Sequence, residues 1–164
     1  LLLNGTEIGV PMSLFFQINI IYGGLSDFCT RESCPVMCAT NDVEYLWSDP
    51  VKQTKTEKLA ACDYCVRLFD WIQSLLDNPS VFPPTKDQPW PKNYQEVVQK
   101  IFQRLFRVYA HLYLNHFQKV VALGAEATMN SHFKHFVIFA FEFKLLDQKK
   151  DCDTLKDLIG KLIK

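Results

Sequence analysis

This sequence of 164 residues has no excess of charge: 18 Lys and Arg are matched by 18 Asp and Glu. A chain without net charge lacks the long-range field that draws in nucleic acid. No apolar run comes near the ~20 residues that a membrane-spanning helix needs. The longest, Phe136 to Phe143, is short and carries Glu142. There is no internal repeat and no low-complexity stretch. The chain does not begin with Met, as expected of a fragment or a processed form. Leu1 to Leu3 are not followed by the charged and apolar regions of a secretory signal. One glycosylation triplet, Asn4-Gly5-Thr6, is too common by chance to argue for secretion. What is present is globular: apolar residues make up 48% and charged residues 22%, enough to build one sizeable core, and we expect a single domain over residues 1–164.

Apolar residues recur at helical spacing through most of the chain. Residues 1–11, with Gly5, Gly9 and Pro11, read as irregular. Leu14, Phe15, Ile18, Ile21 and Tyr22 predict a helix from Met12 to Tyr22 that stops at Gly23-Gly24. Residues 25–58 read as a long loop with room for a small β-hairpin. A structureless connection of that length needs an anchor. Ala60 to Asp77 reads as a helix, with Tyr64, Leu68, Trp71, Ile72 and Leu75 on one stripe. Five prolines between Asn78 and Pro91 then exclude helix. The longest predicted helix runs from about Asn93 to Leu123 and ends at Gly124. Two more follow, Ser131 to Leu145 and Thr154 to Ile163, the latter with Asp153 as its N-cap.

The 6 cysteines are Cys29, Cys34, Cys38, Cys62, Cys65 and Cys152. Three disulfides are one arithmetic option. A domain of this size folds without them, and two histidines sit at ligand-like spacing, so reduced thiols with a metal is the better reading. Cys29-x4-Cys34 falls on the loop after the first helix, and His111-x4-His116 inside the long helix. Two thiolates and two imidazoles suit tetrahedral zinc and leave no open position. At i and i+5 the histidines lie roughly 140° apart around a continuous helix, a less obvious fit than i and i+4. Cys62-x2-Cys65 is a rival pair with tighter spacing. It sits at the start of an amphipathic helix, where Cys is usually a small buried hydrophobe.

Six segments in register resemble the Mob/phocein family of Mob1-like kinase co-activators. They are Phe28-Cys29-Thr30-Arg31-Glu32-Ser33-Cys34-Pro35-Val36-Met37; Glu44-Tyr45-Leu46-Trp47-Ser48-Asp49; Phe82-Pro83 with Trp90-Pro91-Lys92-Asn93-Tyr94; Arg104 to Tyr113 with His116-Phe117; Asn130 to Phe136; and Glu142 to Asp147. The resemblance implies an all-α helical bundle, with a four-helix core plus shorter helices, in which Cys29, Cys34, His111 and His116 hold one structural zinc. It implies a non-catalytic adaptor that binds the regulatory region preceding the catalytic domain of NDR/LATS-type Ser/Thr kinases. It implies binding of a phosphorylated segment of an upstream Hippo/MST-type kinase at the positions of Gln103, Arg104 and Arg107. Two guanidinium groups at i and i+3 can converge on one phosphate.

The chain also departs from the family pattern. Gln103 stands where many members have Lys, Cys62-Asp63-Tyr64 replaces Pro-Lys-Tyr, and the acidic kinase-docking segment is reduced to Glu7. The resemblance therefore points to a divergent or N-terminally truncated member. The alternative is a zinc-containing scaffold that has lost kinase docking and binds other proteins. Expected partners are a protein kinase and a phosphopeptide, with no nucleic acid and no membrane span, for a chain monomeric alone. The expected setting is growth or cell-cycle signalling in the cytoplasm, extending to the nucleus, spindle poles or cell cortex. An enzyme is not expected. The closed Cys2His2 shell leaves no site for metal catalysis, and no His-Glu-x-x-His is present. A zinc finger fails because the ligand pairs are too far apart. His132 and His135, on a Phe-rich helix, are read as structural rather than as partners for a catalytic thiol.

Overall fold

The computed structural model describes residues 9–49, 55–84 and 88–163. Among these described residues, six α-helices and one two-stranded antiparallel sheet occur in the order α1 (Gly9–Leu25), β1 (Cys38–Thr40), β2 (Val43–Glu44), α2 (Ala61–Leu76), α3 (Tyr94–Asn115), α4 (Phe117–Ala122), α5 (Glu126–Glu142) and α6 (Lys156–Leu162). The expected helical bundle is therefore present, with α1, α2, α3 and α5 as its four long helices.

Helices α1 and α2 each bury one stripe. In α1 it is Leu14, Phe15, Ile18, Tyr22 and Leu25; in α2 it is Ala61, Tyr64, Cys65, Leu68 and Ile72. Helix α3 is buried on several sides, because α1, α2, β1 and α4 all pack on it. Its contact with α5 is aromatic. Phe102 stacks on Phe136 at 4.9 Å and 10°, and Tyr109 meets Phe133 at 4.9 Å and Phe136 at 5.0 Å. Offset rings bring dispersion and quadrupole energy beyond area burial, about 0.5–1.5 kcal/mol per pair.

Two helix ends have the same backbone solution and different residues. After α4, Gly124 adopts φ +68°, with its N–H donated to Val121 O and that of Ala125 to Val120 O. After α5, Lys144 adopts φ 54°, with its N–H donated to Phe141 O and that of Leu145 to Ala140 O. Both are Schellman closures. Glycine reaches the left-handed region freely; lysine does so at a cost.

The structure corrects several boundaries. Gly9 to Pro11 belong to α1 rather than to an irregular segment, since proline is tolerated in a first turn. Gly23 and Gly24 continue α1 to Leu25, because no turn here demands positive φ. The expected helix from Asn93 to Leu123 is two helices that meet at His116, which has φ −125°. Helix α5 starts at Glu126, five residues before the expected Ser131. Asp153 is no N-cap: it opens a 3-10 turn (Asp153–Leu155), makes no capping bond, and accepts from Lys156 Nζ at 3.1 Å.

The connection after α1 is anchored along its length. Met37 N–H donates to Leu59 O at 2.8 Å, Tyr45 N–H to Met37 O at 2.7 Å, and Trp47 and Glu57 exchange backbone bonds at 2.8 and 2.7 Å. The small hairpin is β1–β2, and β1 lies on the last turns of α3.

Candidate functional site: a metal centre and an arginine cradle

Cys29 and Cys34 flank the turn that follows α1. Thr30 and Ser33 close it: the Thr30 N–H donates to Ser33 Oγ at 2.9 Å, and Ser33 Oγ donates to Phe28 O at 2.7 Å. Cys34 O then accepts the Ala61 N–H at 3.0 Å, which fixes the turn to the start of α2. His111 is in the last turn of α3. His116 occupies the break between α3 and α4, its N–H still bonded to Leu112 O at 3.0 Å. The break removes the difficulty of the i, i+5 spacing, because a residue turned out of the helix is no longer held 140° away from its partner.

All four side chains are buried, and one ligand atom from each lies within 4.8 Å of all the others. Cys29 Sγ lies 3.5 Å from His111 Nε2, Cys34 Sγ lies 3.3 Å from His116 Nε2, and the two Nε2 atoms are 3.2 Å apart. Zinc bonds of about 2.3 Å to sulfur and about 2.0 Å to nitrogen give tetrahedral edges of roughly 3.3 to 3.8 Å. The donor set therefore fits zinc in chemistry and in size.

Proton bookkeeping supports the same conclusion. His111 Nδ1 lies 2.8 Å from Cys38 O, an acceptor only, so Nδ1 carries the hydrogen and Nε2 presents a bare lone pair to the centre. That lone pair faces His116 Nε2 at 3.2 Å, a spacing that suits an N–H···N hydrogen bond and equally a cation held between the two rings. Burial lowers the His111 pKa, with the Cys38 carbonyl opposing it. Burial and the neighbouring His111 push His116 down to about 4, and burial with the charge of Cys34 pushes Cys29 up to about 12. The imidazoles are thus held neutral, as metal ligands must be. A dication would supply the charge that the thiolates need.

The surrounding shell is well defined. Tyr22 lies beside Cys29, and burial pushes its hydroxyl pKa up. Asn115 Nδ2 donates to Ala39 O at 3.0 Å and to His111 O at 3.1 Å, tying β1 to α3 beside the ligands. Two surface clefts, of about 520 and 280 Å³, both reach Cys34; one is lined by His116 and the other by His111. The rival thiols take no place in the cluster: Cys65 is fully buried on the α2 stripe, and Cys62 is half-buried beside it.

The second constellation lies about one to two turns earlier on α3. Arg104 does not point freely to solvent. Its guanidinium sits 4.8 Å from the Trp47 ring and 5.0 Å from the Trp71 ring, and Nη2 donates to Ser48 O at 2.8 Å. Arg107 lies 5.3 Å from the Tyr45 ring and donates to Tyr64 Oη at 2.9 Å. Each cation–π contact is worth about 0.5–2 kcal/mol. Arg104 Nη1 is buried without an acceptor, and among the described residues neither arginine has a carboxylate within ion-pair distance. Burial, with the charge of Arg107, lowers the Arg104 pKa against the opposing pull of Tyr64 and Asp49. Gln103 turns to Asp151, its Nε2 lying 3.4 and 3.3 Å from the two carboxylate oxygens. Glu7 lies outside the described residues.

The chain matches the Mob1/phocein family profile over residues 10–154. It is 46% identical over 153 residues to "MOB kinase activator-like 1 homolog B" of Dictyostelium discoideum, covering 93% of this chain and 70% of that protein. It is 45% identical over 152 residues to "MOB kinase activator-like 1A" of Arabidopsis thaliana, with the same coverage. It is 43% identical over 152 residues to "Maintenance of ploidy protein mob1" of Schizosaccharomyces pombe, covering 72% of that protein. This chain belongs to the Mob1/phocein family. Its Mob1/phocein motifs coincide with the two constellations: the Cys29–Met37 segment and the Arg104–His116 segment bring the two cysteines and two histidines together, and Glu44–Asp49 supplies part of the aromatic floor under the arginines. Sequence reasoning missed Asn115, the Cys38 carbonyl, Trp71 and Asp151. Their roles depend on contacts between distant segments, and no local spacing marks them.

Proposed function

We propose that this Mob1/phocein protein is a non-catalytic adaptor that activates a protein kinase by binding it. Its relatives named MOB kinase activators support that reading. In it, one zinc at Cys29, Cys34, His111 and His116 is structural, holding the turn after α1 against α3. The kinase is of the NDR/LATS type, bound through its N-terminal regulatory region. An upstream Hippo/MST-type kinase is bound through a phosphorylated segment at Arg104 and Arg107.

The observation that carries the anion reading is the state of the two arginines. They are half-buried on aromatic rings, ion-paired to no carboxylate among the described residues, and one buried nitrogen has no acceptor. A dianionic phosphate answers all three conditions, and guanidinium forks match its geometry. The cytoplasm, extending to the nucleus, is the proposed place of action.

Calorimetry tests both partners on zinc-loaded protein. A purified NDR/LATS-type regulatory segment should bind. A phosphothreonine peptide should bind more tightly than its unphosphorylated form, and Arg107→Ala should abolish the difference. Failure of the kinase segment to bind, with equal affinity for both peptides, would sink the adaptor reading.

A further inference from the structure

Asp151 stands beside the arginine cradle, and among the described residues no cation pairs with it. It is half-buried on the connection between α5 and α6. Its Oδ2 accepts the Asp147 N–H at 2.8 Å, and both carboxylate oxygens face the Gln103 amide. Among the described residues no Lys, Arg or His lies within 4.0 Å of it; the acid–base pairs are Arg31–Asp63, Lys58–Glu44, Arg67–Glu57 and Lys156–Asp153. Lys149 and Lys150 on the same connection are exposed and form no pair with it.

Gln103 precedes Arg104 in sequence and lies one helical turn from Arg107, so its side chain and that of Arg107 share a face of α3. Thr154, three residues after Asp151, lies against Tyr45, whose ring carries Arg107. The 151–154 segment therefore lines one wall of the cradle. A neutral amide satisfies the hydrogen bonding of Asp151 without cancelling its charge. The surface presents two guanidinium groups and, about one turn away, an uncompensated carboxylate.

We infer that Asp151 sets the specificity of the anion site, selecting a phosphorylated peptide that carries a Lys or Arg next to the phosphoresidue. This rests on the phosphopeptide reading above and adds the chemical class of the ligand. A phosphopeptide with neutral or acidic flanks places negative charge against Asp151. A basic neighbour places a cation there instead, converting a repulsive contact into an ion pair.

Calorimetry at low salt with four synthetic peptides tests it: phosphothreonine flanked by Lys, phosphothreonine flanked by Ala, and the unphosphorylated version of each. The native chain should prefer the Lys-flanked phosphopeptide by about three- to five-fold, the range of a partly exposed ion pair. Asp151→Asn keeps an acceptor for the Asp147 N–H. It should remove the preference and tighten binding of the Ala-flanked phosphopeptide. Gln103→Lys approaches from the other partner and should also remove the preference, by supplying Asp151 with a cation from within the chain. Equal binding of the two phosphopeptides by the native chain overturns the role of Asp151 while leaving the phosphate site standing. No advantage of either phosphopeptide over its unphosphorylated form overturns both.

Discussion

Removing the metal should destabilise the domain by an amount that follows from the sequence separation of the ligands. Cys29 and His111 are 82 residues apart, as are Cys34 and His116. A cross-link that closes a loop of that length lowers the entropy of the unfolded chain by about 4.5 kcal/mol at 25 °C. For a domain of this size each kcal/mol moves the melting temperature by about 2–4 °C, so the expected fall is about 9–18 °C. The assay is thermal unfolding of protein purified with zinc, before and after a strong chelator, with metal content measured by mass spectrometry. His116→Ala should lower zinc content and melting temperature together, whereas His135→Ala, an exposed histidine on α5, should change neither. Purified protein that contains no zinc, or a chelated sample that melts within 2 °C of the untreated one, would refute the structural role. So would an equal fall for both histidine variants.

The other predictions concern the frame. Phe136→Ala removes a fully buried ring packed on Phe102 and Tyr109 and should cost about 3–5 kcal/mol in urea unfolding; a loss below about 1 kcal/mol would mean that the aromatic layer repacks. Lys144→Gly relieves a left-handed residue at the close of α5 and should stabilise by about 0.5–1 kcal/mol, whereas a destabilised variant would mean the lysine side chain contributes more than its backbone strain costs. The Asp147 carboxyl is held below its usual pKa by the Lys150 and Lys149 backbone N–H groups. Its stabilisation is present above the unfolded value of about 3.9 and is lost as pH falls through the lower folded value. Asp147→Asn should therefore melt lower than the native chain at pH 7 and converge with it in acid; parallel curves down to pH 2 would refute that role.

The Cys2His2 cluster was legible because it is a matter of residue type and spacing, and the family motifs follow the same chain order. The break at His116 was not legible. Asn115, Phe117 and the apolar residues beyond keep helical spacing across it, so periodicity alone runs the helix on to Leu123. What turns His116 outward is the fit of its ring into the cluster with Cys34, a contact across 82 residues. The start of α5 was missed for a different reason. Its first turn, Glu126 to Met129, has good helix formers but only one buried residue, Met129, so the apolar stripe announces itself later than the helix begins. Arginines 104 and 107 were legible as a basic pair at i and i+3. Their burial was not, because Trp47 comes from the hairpin connection, Trp71 from α2, and neither lies near them in sequence. Asp153 has the chemistry of an N-cap but turned to Lys156 in a 3-10 turn, where no capping position exists.

The spacing of the ligands also has a consequence in time. A ribosome adds about 5–20 residues per second, so a gap of 82 residues means that Cys29 and Cys34 wait roughly 4 to 16 s for His111 and His116. Cys38, Cys62 and Cys65 emerge within that same interval. From Cys29 up to His111 the sequence brings five thiols and no imidazole, so Cys29 and Cys34 must stay unoxidised and unclaimed by other metals until His116 has emerged. The cluster can close once His116 has emerged, while α5 and its aromatic layer on α3 are still to be made.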